Sequence, residues 1–357
     1  MDIRDIAKRA RVSTATVSRT VNQVATVDAH LAKRVWKAIE ELGYYPNRQA
    51  RALVSGRSRI FGLIVSEITN PFFPEIVQTF ETLAVEQNYE ILLTSTIHDP
   101  KRMELAVRRM IERRVDGVAI LTFGMEDDLL EHLRFRNLPL VFVDVGPRAP
   151  RVSNIRVDYG DGIRQAVQHL AALRHDRIGF VSGPLNLRSA VVRRDAFEQS
   201  MQEIGLPVWP EFTVEGDHRL EGGKRALQTL SRLREQPTAL LCSNDMTAIG
   251  VMRQAFELGI ELPQELSVVG FDDTRLADFV IPPLTTVRMS QTELATLAFN
   301  ALLQEVKRET PAPDGTEYIL KTHLVLRSST TFPIEHNKGR LGSNSRRAGQ
   351  TRAAGEE

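Results

Sequence analysis

Residues 11–22 read Arg11-Val12-Ser13-Thr14-Ala15-Thr16-Val17-Ser18-Arg19-Thr20-Val21-Asn22. Ser13 is a good helix N-cap, and Ala15, Val17 and Val21 follow it at helical spacing, so a helix is predicted to start just after it. Upstream, Ile3, Ile6, Ala7 and Ala10 keep the same period behind Asp2; downstream, Leu31, Val35, Ala38, Ile39 and Leu42 keep it behind Asp28. Gly43 and Pro46 stop the third segment. Only Arg11-Val12 separates the first two, a connection of helix-turn-helix length. The second helix then presents small, hydrogen-bonding side chains on its exposed amino half, where a recognition helix meets base edges in the major groove. Thr14 and Ala15 allow close approach, Ala15 suits a thymine methyl, and Arg19 is long enough to fork onto guanine. Taken singly, Ser13 and Thr14 would read as caps and Arg19 as a solvated charge; the arrangement as a whole favours DNA.

Working outward, charge supports that reading. The 357-residue chain has a net charge of only +1. Residues 1–59, however, carry 12 Lys/Arg against 5 Asp/Glu, while residues 60–334 carry 29 against 37. A basic head on an acidic body is the footprint expected when the head alone meets a polyanion. Residues 47–59, with four arginines and no acid, read as a linker that orders when DNA holds it.

Beyond residue 60 the pattern changes to short apolar runs separated by helical stretches. The runs are 60–65, 90–95, 117–121, 140–144, 177–182, 239–243 and 267–271. This alternation predicts βαβ units and buried parallel sheets, arranged as two doubly wound subdomains. A ligand is expected at the carboxyl ends of their strands, in the cleft between the lobes. The predicted domains are thus 1–46 for the head, 47–59 for hinge and linker, 60–334 for the two-lobed body and 335–357 for a disordered tail.

The single cysteine, Cys242, lies in the apolar run Ala239-Leu240-Leu241 and excludes an intramolecular disulfide. It reads as a small buried strand residue rather than a nucleophile. The amino terminus has no secretory h-region and the chain no membrane-length apolar run, so the expected location is cytoplasmic, with no membrane partner.

The motifs Asp5-Ile6-Ala7, Val12-Ser13, Thr16-Val17-Ser18-Arg19, Asn22, Tyr45-Pro46-Asn47 and Ala50-Arg51-Ala52-Leu53 resemble the lactose-repressor family of bacterial regulators. The likeness continues through Asn70-Pro71-Phe72-Phe73, Arg114-Val115-Asp116-Gly117 and Gly270-Phe271-Asp272-Asp273 to Pro283-Leu284-Thr285-Thr286, covering about residues 2–332. The head and linker are most similar to the purine-repressor branch. The resemblance implies a periplasmic-binding-protein-like body and DNA contacts from Ser13, Thr14, Ala15, Thr16, Arg19 and Asn22. It further implies a hinge helix over 48–54 in the minor groove, where Leu53 wedges into a base step beside Val54. The alternative for Leu53 is an apolar anchor against the third helix. Val54 replaces a lysine of the purine-repressor branch, and Arg11 stands where glycine or asparagine is common, straining the turn or adding a phosphate contact.

In the body, the resemblance implies that Arg193 and Asp272 form a charged pair holding effector hydroxyls, that Asn244 and Asp158 add polar contacts, and that Phe72 and His218 form an aromatic wall. Chemically, a carboxylate accepts from hydroxyls while a guanidinium donates to ring or hydroxyl oxygens. Without the resemblance, Asp272 would read as a turn cap, Asn244 as an Asx-turn with Met246, and Arg193 as the partner of a surface carboxylate. Leu187 stands where the purine-repressor branch has arginine, which disfavours hypoxanthine or guanine and makes a carbohydrate the leading expectation.

Two rival classes fail on sequence. A periplasmic sugar receptor should lack the basic head. A nucleotide-dependent enzyme should carry a phosphate loop, yet no G-x-G-x-x-G follows a strand, and Gly222-Gly223-Lys224 is followed by Arg225 where a P-loop needs Ser or Thr. Scattered histidines, no H-E-x-x-H and no G-x-S-x-G predict no metal, no cofactor and no catalytic residues. The expected partners are a pseudo-palindromic operator in double-stranded DNA, a small-molecule effector and a second copy of the chain in a homodimer.

Overall fold

The computed structural model describes residues 2–21, 26–44, 57–122, 137–144 and 146–334. Asn22, Leu53, Val54, the expected hinge helix and the tail from residue 335 lie outside the described residues.

The head forms α1 (Ile3–Ala10), α2 (Thr14–Val21) and α3 (Ala29–Leu42). The caps are those the sequence predicts. Asp2 accepts from Arg4 N and Asp5 N while Asp5 returns a bond to the Asp2 amide, and Asp28 accepts from His30 N and Leu31 N. Ile6, Ala7, Ala10, Val17, Val35, Ala38 and Ile39 form one small core, so each apolar stripe faces the other two. Arg11 ends α1 with φ 52°, in the left-handed region that a residue with a Cβ enters at a cost. That turn is braced from α3, whose Arg34 Nη2 donates to the carbonyls of Ala10 at 2.6 Å and Arg11 at 3.1 Å.

The remaining chain forms two six-stranded sheets. The first contains β1 (Ile60–Val65), β2 (Glu90–Ser95), β3 (Gly117–Leu121), β4 (Leu140–Val143), β5 (Val152–Asp158) and, from near the end of the chain, β11 (Thr316–Lys321). Its order is β11-β5-β4-β3-β1-β2. The second contains β6 (Ile178–Ser182), β7 (Thr213–Glu215), β8 (Ala239–Cys242), β9 (Ser267–Asp272), β10 (Thr285–Arg288) and β12 (His323–Val325), in the order β12-β10-β9-β8-β6-β7. Strands β6 to β10 pair in parallel, and β12 closes the edge antiparallel to β10. Fully buried strands such as β3, β6 and β8 carry unbroken apolar runs because helices cover both faces.

By compactness the chain divides into one unit of Met1–Arg156 with Thr292–Tyr318 and another of Val157–Gln291 with Ile319–Glu357. The first unit also holds α4 (Phe72–Glu86), α5 (Pro100–Glu112) and most of α11 (Gln291–Lys307). The second holds α6 (Tyr159–Ala172), α7 (Arg188–Glu203), α8 (Leu220–Leu230), α9 (Asp245–Leu258) and the short α10 (Leu276–Phe279). Gly222-Gly223 falls inside α8, not in a phosphate loop. A Cβ on Gly223 would stand 2.0 Å from the Thr247 carbonyl of α9, so helix packing accounts for this glycine.

Candidate functional site

On the head, the described residues among those predicted to read DNA are Ser13, Thr14, Ala15, Thr16 and Arg19; Thr16 is half-buried and the others are exposed. Thr14, Ala15 and Arg19 are exposed on α2, while Val17 and Thr20 turn into the core. Ser13 Oγ accepts from Thr16 N at 3.1 Å and lies 2.9 Å from Thr16 Oγ1. Both hydroxyls therefore hold the amino end of α2 in shape, and each keeps hydrogen-bonding capacity for a further partner.

In the second unit, buried polar side chains gather at the carboxyl ends of β6, β8 and β9. Arg193, one turn into α7, is 3% exposed. Its Nη1 donates to the Ser243 carbonyl at 2.6 Å, and its guanidinium lies 4.7 Å from the Tyr159 ring centre and 4.3 Å from that of Phe271. The two aromatic contacts and the carbonyl fix the cation in place. Its Nε is buried with no hydrogen-bond partner, as are Ser189 Oγ, Ser243 Oγ and Thr247 Oγ1. Buried polar atoms are usually satisfied, so this cluster is the candidate site for a polar ligand. The alternative of a surface ion pair for Arg193 does not hold.

Asp272 ends β9 with φ 111°, a conformation non-glycine residues rarely adopt. Its backbone oxygen accepts from Gln291 Nε2 at 2.8 Å, which leaves the carboxyl group to other partners. Burial pushes that carboxyl well above the usual range; the Arg193 guanidinium opposes the shift and the Asp245 carboxylate adds to it. Asn244 is the N-cap of α9, accepting from Thr247 N at 2.9 Å and donating to the His218 carbonyl at 3.0 Å. The cap bond goes to Thr247 rather than Met246, and Asn244 positions His218. The His218 ring is seated against Gly183, where an added Cβ would stand 1.9 Å from Nε2.

Two of the predicted residues stand apart from this cluster. Asp158 is exposed and caps α6 through Asp161 N at 3.2 Å; its neighbour Tyr159 supplies a ring to Arg193. Phe72 belongs to the first unit, where it is buried edge-on against Phe73 at 5.2 Å. Leu187 is the N-cap of α7 and makes no side-chain cap bond.

Sequence reasoning missed Tyr159, Phe271 and Ser243, which act through ring faces and a backbone carbonyl. It also missed Asp245, which accepts from Thr274 N at 2.6 Å, Thr274 Oγ1 at 2.9 Å and Thr286 Oγ1 at 2.6 Å. Burial raises the Asp245 carboxyl to about 7 against the pull of these three donors. The nearest signal was its place directly after Asn244 at a strand end.

Cys242 is buried in β8 and its thiol is pushed up by burial, which removes the thiolate a nucleophile needs. Among the described residues, no group of three His, Cys, Asp or Glu could hold a metal ion. No helix among them is long and apolar enough to cross a membrane. A cavity of about 710 Å³ opens at the opposite, amino ends of β6, β8 and β9, beside Arg177, Thr238 and Leu266. Its Arg177–Glu235 pair at 3.1 Å is already satisfied, and none of the predicted effector residues lines it.

Residues 2–47 match the family described as bacterial regulatory proteins, lacI family, and residues 167–330 match a periplasmic binding protein-like domain. The HTH-type transcriptional repressor PurR of Actinobacillus pleuropneumoniae serotype 3 (strain JL03) is 34% identical over 332 residues, covering 92% of this chain and 97% of that one. The PurR repressor of Haemophilus influenzae (strain PittEE) is 34% identical over 306 residues, covering 85% and 90%. Among solved structures, the lac repressor dimer bound to operator and the anti-inducer ONPF superposes with a TM-score of 0.82 at 29% identity, covering 93% of this chain and 99% of that one. The complex of the transcriptional regulator CelR with cellobiose gives 0.69 at 26% identity, covering 92% and 99%. The chain therefore belongs to the lacI family of bacterial regulatory proteins: it is a DNA-binding transcriptional regulator with an effector-binding domain, not an enzyme.

Proposed function

We propose that the chain is a cytoplasmic repressor whose effector is a sugar or sugar derivative, held by Arg193, Asp272, Asn244, His218 and Asp158. The observation that carries this is the buried, aromatic-clamped Arg193 with an unpartnered Nε, charge-coupled to Asp272. A fixed guanidinium beside a carboxyl group offers the donors and acceptors that hydroxyls need. The relative solved with cellobiose adds weight. Phe72 is proposed as a further effector contact on the family resemblance alone. A thermal-shift screen of sugars and nucleosides on the full chain tests the reading: a sugar raises the melting temperature, and the rise vanishes in a Asp272→Ala, Arg193→Ala double variant. A rise that survives both substitutions refutes it.

For DNA, the proposal is that Ser13, Thr14, Ala15, Thr16 and Arg19 read the major groove. Asn22, Leu53 and Val54 join them on the resemblance. The functional parts are then the head 1–46, the hinge and linker 47–59, the body 60–334 and the tail 335–357. One head reads few bases, so a homodimer on a pseudo-palindromic operator is proposed, as in the lac repressor complex. Phe279 and Ile281 on the second unit, 69% and 93% exposed, offer apolar surface for such pairing. Operator affinity should fall steeply and log-linearly with salt, because arginine and lysine contacts release counterions. A filter-binding titration that is flat in salt would remove the head from the interface.

A further inference from the structure

Of the three head helices, α2 is the least anchored. It buries only Val17 and Thr20, whereas α1 buries Ile6, Ala7 and Ala10, and α3 buries Val35, Ala38 and Ile39. Its direction therefore depends on the turn Arg11-Val12 that joins it to α1. In that turn Arg11 is left-handed, Arg11 N donates to the Lys8 carbonyl at 3.3 Å, and Val12 N donates to the Ala7 carbonyl at 3.0 Å. Glycine is the usual residue at such a helix end.

Two helices of the body end in the same way. Arg114 after α5 and Arg174 after α6 are left-handed, and each is followed by a residue whose amide returns to the helix, Val115 N to Met110 O and His175 N to Leu170 O. There the chain soon enters β3 and β6, whose ladders fix its path. No ladder holds α2, and the restraint comes instead from α3. Arg34 Nη2 donates to the Ala10 carbonyl at 2.6 Å and to the Arg11 carbonyl at 3.1 Å. These carbonyls belong to the peptide groups on either side of the Arg11 Cα, so one guanidinium pins both planes about which α2 would swing relative to α1. A cation is favoured at this place, because the carbonyl end of α1 is the negative end of its dipole. Arg34 is half-buried, and among the described residues it forms no ion pair; Glu41 of the same helix is taken by Arg9 Nε at 2.7 Å.

We propose that Arg34 is a positioning residue for operator recognition: it touches no DNA itself and sets the angle at which α2 presents Thr14, Ala15 and Arg19. This rests on the reading of α2 as the helix that enters the major groove. The competing role for an arginine here is direct neutralisation of a DNA phosphate, and the two roles respond differently to salt.

The full chain is tested on a duplex that the unmodified chain selects from a random library, with a scrambled duplex of the same length as control. Arg34→Met keeps the aliphatic stem and removes the donors. Affinity for the selected duplex should fall by about tenfold or more, and affinity for the scrambled one by less than about threefold. The slope of log affinity against log salt should stay that of the unmodified chain, since no counterion-releasing contact is lost. Arg34→Lys, whose ammonium still donates to a carbonyl, should bind the selected duplex within about threefold of the unmodified chain. A slope shallower by about one in Arg34→Met would make Arg34 a phosphate contact and overturn the proposal. Equal losses on both duplexes would mean that Arg34 only keeps the head folded, and an unchanged affinity for the selected duplex would mean that the turn holds α2 without it; either result also overturns the proposal. If the unmodified chain selects no duplex, the DNA-reading head itself falls, and the role of Arg34 with it.

Discussion

The two sheets of this chain are laid out alike and equipped differently. In both, the first strand of the unit sits second from one edge, the order then runs back through successive strands, and a strand from the chain's end closes the other edge. Yet the carboxyl ends of β1, β2 and β3 lead into Ser66, Thr96 and Thr122, buried neutral hydroxyls, with Ser66 Oγ donating to Thr122 Oγ1 at 2.8 Å. The carboxyl ends of β8 and β9 lead into Asn244, Asp245 and Asp272, with Arg193 buried beside them. The layout supplies a rim of strand ends; the residues placed there decide what that rim can hold.

The largest test of this contrast is Arg193→Ala. It removes the donor to the buried Ser243 carbonyl and opens a space between Tyr159 and Phe271. Leaving a buried acceptor unpaired costs about 1–3 kcal/mol, and loss of sugar binding should accompany it. Urea unfolding followed by hydrogen exchange should show the loss concentrated in the second unit. A variant as stable as the parent would mean that the buried Arg193 contributes nothing to the second unit, and the contrast would fail.

A second test uses pH. The Asp245 carboxyl is raised to about 7 by burial, above its value in an unfolded chain. The folded state therefore holds its proton more tightly. The stability this contributes is fully present below about pH 4 and is lost as pH rises through about 7, on the order of a few kcal/mol across the window. Asp245→Asn removes the titrating group and should flatten that part of the profile. The hydroxyls at the first sheet's strand ends do not titrate there, so the slope should appear in amides of the second unit. Equal slopes in both units would assign the effect elsewhere.

How far each half could be read from sequence follows the same physical lines. β1 and β3 are legible to the residue because a strand buried on both faces is apolar nearly throughout, and the edge strand β2 because its Ile91-Leu92-Leu93 run lies between helical stretches. β5 was missed: Ser153, Asn154 and Arg156 interrupt its apolar run, though Ser153 and Asn154 are buried. β7 spans three residues at an edge, and β11 alternates as an edge strand does, which gives little contrast with a loop. In the head, the N-caps Asp2, Ser13 and Asp28 and the stop at Gly43 were legible, since capping is local chemistry, while Arg11 as the left-handed C-cap of α1 was not. At the candidate effector site, Arg193, Asn244 and Asp272 were visible as polar residues where the family resemblance marks them. Phe271, inside an apolar strand, read only as core. Its use as a ring against Arg193 depends on a partner 78 positions away in sequence, beyond the reach of any local pattern.

The smallest expected effect is the most discriminating for the neutral half of the comparison. Ser66→Ala removes the donor to Thr122 and leaves a hydroxyl that must find another partner, which should cost about 1 kcal/mol. Thr122→Val keeps the volume and removes the acceptor. The double variant takes away both polar partners, so it should be closer to the parent than the two single losses added together, with a coupling of about 0.5–1 kcal/mol. A cycle of thermal or urea unfolding measures this directly. The same variants should leave ligand affinity within a factor of about two, because 0.4 kcal/mol is the scale at which affinity is unaltered for practical purposes. If Ser66→Ala instead weakened the ligand found in the screen tenfold, the neutral hydroxyls would be part of the recognition chemistry. The difference between the two sheets would then be a division of labour between charged and uncharged contacts, rather than a difference between a binding rim and an inert one.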